Sequence, residues 1–208
     1  MKIRRKVSIS EGNTKMGTVP SISLSPGPSP RGSCKPSIPC FSQCYAVRTS
    51  HRLPAVKRAW DRNLRFYKRD PLDFFKRIGG YLAYHQPPYF RWHVAGDIPD
   101  QEYLNYMIRL ALENKKTAFM CFTKQFEFDF DYSEIESEFE PVSNLKIIFS
   151  RWPGDTVPPA INDFSMAWMQ DGSETRIPSN ALQCVGKCDS CFRCWSLARN
   201  RHVYFNLH

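Results

Sequence analysis

Apolar residues recur at helical spacing from Pro54 to Asp70. Val56, Trp60, Leu64 and Tyr67 form one stripe, and Lys57, Arg58, Arg62, Arg65 and Arg69 fall largely outside it. The pattern predicts an amphipathic helix there and a second one over about Pro71–Tyr84. Tyr89–Ala95 then alternates as a strand does, with Phe90, Trp92 and Val94 on one face and Arg91, His93 and Ala95 on the other. Asp100–Asn114 returns to helical spacing through Tyr103, Met107, Leu110 and Ala111. Further strands are predicted at Ser21–Leu24, Ala118–Phe122, Leu145–Phe149, Phe164–Met169 and Val203–Phe205, with a short acidic helix at Tyr132–Phe139. Strand centres near residues 92, 120 and 148 are about 28 residues apart, the rhythm of β-α-β units. The strands are nearly continuous apolar runs, as parallel strands covered on both faces are. The repeats are too few for a closed eight-stranded barrel. The expected fold is therefore α/β, a partial, open β/α barrel of about six mainly parallel strands. Residues 1–180 would form the barrel, and residues 181–208 a cysteine-rich extension and final strand packed on the same domain.

Charge adds a second layer. The 208 residues carry a formal net charge of +9, unevenly spread. Eight Lys or Arg and one acid, Asp61, lie within residues 48–69, whereas residues 127–140 hold seven acids and no base. The basic run is read mainly as a solvated helix face, with at most a weak, salt-sensitive nucleic-acid contact. No secretory pattern follows the basic Met1–Lys6, and no run reaches the ~18 apolar residues of a membrane span. A cytoplasmic protein is expected, in a compartment where thiols stay reduced.

That compartment gives the cysteines their meaning. Seven of the eight fall into two groups: Cys34, Cys40 and Cys44, spaced C-x5-C-x3-C, and Cys184, Cys188, Cys191 and Cys194, spaced C-x3-C-x2-C-x2-C. Such spacings let several thiolates converge on one soft metal centre. Three protein thiolates leave an open position on a [4Fe-4S] cluster, and four close a centre. For the second group, the C-x2-C-x2-C core suits a [4Fe-4S] cluster, and zinc is the alternative. The two groups form two centres or share ligands in one. Cys121 stands apart in an apolar run and is expected in the core.

In parallel α/β folds functional side chains gather at the C-terminal ends of strands. Those ends carry Gly96-Asp97, Thr123-Lys124, Ser150-Arg151 and Gln170-Asp171. The first cysteine loop follows the predicted first strand, Ser21–Leu24, and would share their rim. Asp97, His93 and Lys124 are the catalytic candidates, as acid, base or cation. Gly96, Asp97, Ser150 and Arg151 are the candidates for holding a cofactor. Gly96 would let it approach the backbone, and Arg151 offers a planar fork to a carboxylate.

The three-cysteine loop, with Tyr45 after its last cysteine, resembles the radical S-adenosylmethionine superfamily, whose usual spacing is the shorter C-x3-C-x2-C. That resemblance implies a partial barrel, a [4Fe-4S] cluster on Cys34, Cys40 and Cys44, and S-adenosylmethionine on its open iron. Gly96-Asp97 resembles the turn that meets the cofactor amine. A closer resemblance is to the phage gene product 88 family. It is carried by Gly12-Asn-Thr-Lys-Met-Gly17, Cys40-Phe-Ser-Gln-Cys-Tyr-Ala46, Asn63, Arg91-Trp-His-Val-Ala-Gly-Asp-Ile98, Thr123-Lys124 and Cys188-Asp-Ser-Cys-Phe-Arg-Cys-Trp195. It implies a phage or prophage origin and no settled activity. Three functions are weighed: an enzyme of radical S-adenosylmethionine type, an iron–sulfur hydrolase or lyase using the open iron as Lewis acid, and a metal-stabilised nucleic-acid-binding protein without catalysis. No Walker loop, Rossmann fingerprint or G-x-S-x-G elbow is present. The substrate is not named by the sequence.

Overall fold

In the computed structural model, residues 6–36, 40–130, 142–156, 164–198 and 200–206 are described. The expected helix at Tyr132–Phe139 lies outside them. The described strands are β1 (Ile9–Ser10), β2 (Ser21–Ile22), β3 (Tyr89–Trp92), β4 (Ala118–Thr123), β5 (Leu145–Arg151), β6 (Met166–Gln170), β7 (Leu182–Gln183) and β8 (Val203–Asn206). The helices are α1 (Tyr45–Arg52), α2 (Pro54–Arg69), α3 (Pro71–His85), α4 (Gln101–Glu113) and the single turn α5 (Cys188–Cys191). All eight strands form one sheet in the order β1-β2-β3-β4-β5-β6-β8-β7, with β1 antiparallel to β2 and every other pairing parallel. The sheet is open, and it holds eight strands where about six were expected. The two extra are two-residue pieces at its ends, β1 and β7, too short to give a period. Helix α1 was not predicted.

Local chemistry explains the helix boundaries. Proline opens both α2 and α3, where its missing N–H costs nothing. The carboxylate of Asp70 accepts from the N–H of Asp73 to cap α3, and that of Asp100 accepts from Tyr103 N–H at 2.9 Å to cap α4. Asp100 also accepts from the hydroxyl of Tyr67, which ties α2 to α4. No described helix is long and apolar enough to cross a membrane.

The sheet is covered on both faces. On one, α2, α3 and α4 pack Tyr67, Phe74, Phe75, Ile78 and Tyr103 against Phe90, Trp92, Phe119, Ile147 and Phe149. On the other, Met120, Ile148, Ala167 and Val203 are covered by Met16 and Val19 from the N-terminal segment and by Trp195 and Leu197 from the C-terminal one. The segment 181–208 thus contributes two strands to the sheet and a cover to one of its faces. Trp195 Nε1 donates to the carbonyl of Phe90 at 3.1 Å, and Cys188 N–H to that of Lys15 at 2.8 Å. At Gly17, whose φ is +60°, a Cβ would lie 2.4 Å from the Asp189 carboxylate, so the two covering segments touch where only glycine fits.

One buried amide joins helix to sheet. Asn63 of α2 is fully buried; its Nδ2 donates to Ser8 O at 2.8 Å and Ser23 O at 3.0 Å, and its Oδ1 accepts from Ser8 N–H at 2.8 Å. Removing it leaves the Ser23 carbonyl unsatisfied in a buried site and the Ser8 N–H and carbonyl unsatisfied in a half-buried one. Asn63→Ala is expected to lower unfolding free energy by roughly 2–4 kcal/mol in urea titration. A loss below ~0.5 kcal/mol would mean that water replaces the amide.

Candidate functional site

The loop after β2 turns back on itself before reaching the cysteines. Cys34 N–H donates to Gly27 O at 2.9 Å, and Gly27 N–H donates to Cys34 Sγ at 3.4 Å. Ser33 binds both ways: its Oγ donates to Ser25 O at 3.1 Å and accepts from Asp97 N–H at 3.0 Å. Cys40 precedes a single 3-10 turn, Phe41–Gln43, and Cys44 precedes α1. This loop therefore lies at the C-terminal ends of the parallel strands, beside the loop that follows β3.

Asp97 is the knot of that rim. Its buried carboxylate accepts from Ile98 N–H at 2.8 Å and from Thr123 Oγ1 at 2.6 Å through one oxygen, and from Lys124 N–H at 2.8 Å through the other. Burial raises its pKa, and the three donors and the Lys124 charge oppose the rise. Burial pulls the Lys124 ammonium down, against the pull of Cys40, Asp97, Asp155 and Cys34. The Lys124 Nζ has no hydrogen-bond partner among the described residues and lies 5.8 Å from the centre of the Trp152 ring. Burial, and then the Asp97 charge, push the Cys34 thiol up to about 12, with Cys40 and Cys44 adding to the rise. Cys40 is raised by burial and relieved first by Lys124. The structure thus brings Cys34, Cys40, Cys44, Asp97 and Lys124 into one electrostatic neighbourhood. Both Asp97 oxygens are already engaged by the protein.

Two sequence expectations are corrected here. Gly96 was expected to admit a ligand. At φ +79° its missing Cβ instead admits the cysteine loop: a Cβ would lie 2.5 Å from Ser33 Oγ and 2.7 Å from Leu24 O. His93 was expected to share the pleat face of Arg91. Strand β3 ends at Trp92, and His93 has φ +53°, which reverses the alternation and turns the ring to the helix-covered side. There its Nε2 lies 3.0 Å from Tyr103 Oη and its Nδ1 3.9 Å from Cys121 Sγ. Burial, with Arg91 adding to it, pushes its pKa down to about 3. This is the setting of a neutral core histidine, and Cys121 is its buried neighbour.

Arg151 and Ser150 are not drawn into the cysteine neighbourhood. Arg151 stacks over the Trp168 ring at 4.4 Å and donates to Asp155 O at 3.1 Å, with Arg176 and Glu174 as its charged neighbours. Asp155 is the link, since its charge reaches Lys124 as well. Ser150 lies on β5 opposite Ala167, and Gln170 turns back to donate to Glu174 O at 3.1 Å.

The second cysteine group is compact. Cys184, Cys188, Cys191 and Cys194 all line one cavity of about 30 Å³. Burial and then Cys184 and Cys188 push Cys194 up to about 12, with Arg91 opposing. Cys188 is raised by burial, and Arg91 and Lys15 oppose that too. Arg91 was not singled out by the sequence. It has a buried Nε without a partner, donates from Nη1 only to the Met16 sulfur at 3.7 Å, and lies 5.3 Å over the Phe122 ring. A lone strand arginine carries no sequence signal; tertiary packing alone places it against the C-terminal thiols. Among the described residues, no three His, Cys, Asp or Glu side chains converge closely enough to hold a metal ion. A wide groove of about 570 Å³ between β1 and α3, lined by Ile9, Glu11, Arg77 and Tyr81 among others, involves none of these residues.

A family model, Gene product 88, matches residues 2–197. The chain belongs to this phage family. No curated protein and no solved structure matches significantly, and the resemblance to the radical S-adenosylmethionine superfamily draws no support from these comparisons. The match to Gene product 88 spans both cysteine groups and all the strand-end residues named above.

Two outcomes test this geometry. Gly96→Ala should lower stability by roughly 1–3 kcal/mol, since it adds a strained φ to a backbone clash; a melting temperature equal to that of the unchanged protein would show that the two loops separate freely. His93 has a depressed folded pKa, so the unfolded chain binds its proton first as pH falls below about 6.5. Stability should therefore decline from pH 6.5 toward 3. His93→Gln should remove up to about 1.4 kcal/mol per pH unit of that slope in denaturant titrations. An unchanged slope would place the titration elsewhere.

Proposed function

We propose that this Gene product 88 protein is an iron–sulfur enzyme whose reactive centre is held by Cys34, Cys40 and Cys44 on the rim of a partial β/α barrel. The observation that carries this reading is the meeting of the three-thiol loop with Asp97 and Lys124 at the C-terminal ends of parallel strands. The consecutive order β2 to β6, followed by β8, supports the barrel.

The donor chemistry fits such a centre. The Cys34 and Cys40 thiols and the Asp97 carboxylate stand around Lys124, with Cys44 beside the two thiols, and burial disfavours the Cys34 and Cys40 thiolates. An added cation removes that penalty, because a coordinated thiol is deprotonated outright. The thiols must turn inward to coordinate. A [4Fe-4S] cluster on three thiolates supplies an open iron, which takes a cofactor such as S-adenosylmethionine for reductive cleavage or acts as a Lewis acid. Asp97 keeps the loops after β3 and β4 in register. Lys124 offers an unpaired ammonium to a substrate oxyanion or carboxylate. Cys184, Cys188, Cys191 and Cys194 would hold a separate structural centre, iron–sulfur or zinc, with Arg91 offsetting its negative charge.

One observation favours the Lewis-acid hydrolase or lyase as a second reading. The backbone at Gly96, where the resemblance puts the cofactor amine, is covered by Ser33 and Leu24. Anaerobic purification, iron, sulfide and zinc assays, and EPR with and without S-adenosylmethionine separate the two readings. The expected result is a cluster signal that changes on cofactor addition, lost together with about four irons per chain in the Cys34→Ala/Cys40→Ala/Cys44→Ala variant. A signal indifferent to the cofactor selects the Lewis-acid reading. Iron content unchanged by the triple substitution refutes both.

A further inference from the structure

Four arginines form a stripe along the solvent face of α2. Arg58, Arg62, Arg65 and Arg69 are all exposed, at i, i+4, i+7 and i+11. At 100° per residue they fall within an arc of about 60°, directly opposite the buried Asn63 and Tyr67. None of the four forms an ion pair among the described residues. The one acid of the helix, Asp61, is held beside the stripe by Lys57 Nζ at 2.6 Å and Ser25 Oγ at 2.6 Å. Like charges at i, i+3 and i, i+4 repel, so a merely solvated face would gain from alternating signs. The stripe covers about 16 Å of helix, long enough for several phosphates.

The stripe leads to the cysteine loop. Lys68 of α2 donates to Pro30 O at 2.7 Å, and Asp61 accepts from Ser25, so α2 is fastened to the segment that precedes Cys34. Along the 3-10 turn and α1, Phe41, Tyr45, Arg48 and Arg52 repeat the same helical spacing, and all four are exposed. Phe41 is 43% exposed and Tyr45 54% exposed. Both rings are fixed: Tyr45 donates its hydroxyl to Val94 O, and Phe41 lies over Gly27, where a Cβ would come within 3.1 Å of the ring. Immobile exposed aromatics flanked by arginines are the parts of a single-strand binding surface, where bases stack on rings and phosphates meet guanidinium groups.

We propose that single-stranded nucleic acid is the macromolecule this protein acts on. Its backbone lies along the arginine face of α2, and a base stacks on Phe41 and Tyr45 beside Cys40 and Cys44. The choice of substrate rests on the reading of that loop as the reactive centre; the binding surface does not. A duplex keeps its bases stacked inside and has no use for the two rings. An acidic protein would use the arginines and leave the rings idle.

The test is fluorescence anisotropy of the full-length protein with labelled 20-mer single strands, the matching duplex, and poly-glutamate as competitor, from 50 to 300 mM NaCl. Single strands should bind more tightly than duplex, with a steep salt dependence. Replacing Arg58, Arg62, Arg65 and Arg69 together by Gln should flatten the plot of log K against log salt by about 3 units, at about 0.7 for each phosphate no longer neutralised. Phe41→Ala should weaken the single strand roughly 5- to 150-fold and leave the duplex unchanged. Strand binding with this arginine and Phe41 dependence in protein that carries no iron upholds the surface and refutes the cluster reading alone. Absence of binding at 50 mM NaCl, an unaltered slope in the arginine variant, a duplex bound more tightly than the strand, or equal displacement by poly-glutamate each overturns the proposal. Circular dichroism of every variant should match that of the unchanged protein, and Phe41→Ala tests the surface without altering any charge.

Discussion

Seven strands running in one direction, β2 through β6 and then β8 and β7, leave two apolar faces that water cannot be allowed to reach. Everything else in the chain answers that requirement. Helices α2, α3 and α4 cover one face with aromatic side chains. The other face is covered by two short irregular segments, one around Met16 and Val19 and one around Trp195 and Leu197. The second of these is also the stretch that holds four cysteines. A segment with little secondary structure of its own gains stability from any metal that it binds. The cover of the sheet and the C-terminal cysteine group therefore belong to one physical problem.

Parallel pairing has a second consequence, because it delivers every strand-end residue to one rim. Asp97 uses that placement to tie the loop after β3 to the loop after β4, and Ser33 ties the cysteine loop to the same point. The result is a half-buried group of thiols around one buried carboxylate and one ammonium. Burial dominates the Cys34 and Cys40 thiols and favours their neutral forms, with Asp97 adding to the rise at Cys34 and Lys124 opposing it at Cys40. Outside the rim, the arginines of α2 and the fixed rings of Phe41 and Tyr45 form a surface of opposite character, open and cationic.

Hydrophobic periodicity carried most of the fold. Helices α2, α3 and α4 and strands β3, β4, β5, β6 and β8 were legible because each is long enough to show a period of 3.6 or 2. Strands β1 and β7 have two residues each and no period. Helix α1 is eight residues of mostly polar sequence. The strand ends were legible too, so Asp97 and Lys124 were found as rim residues from position alone.

What the chain determined by itself was its parallel α/β character, its two cysteine groups and the line of rim residues, because these depend on local pattern and spacing. Tertiary structure alone decided the details of contact. A positive φ at His93 sends that ring into the core, although alternation places it beside Arg91. Gly96 serves the cysteine loop because Leu24 and Ser33 arrive over it from more than 60 residues away. Arg91 faces Cys188 and Cys194 because the C-terminal segment folds back over β3, as the bond from Trp195 to Phe90 across 105 residues makes plain. Contacts at such separations are set by how whole elements pack, and no short window of sequence contains them.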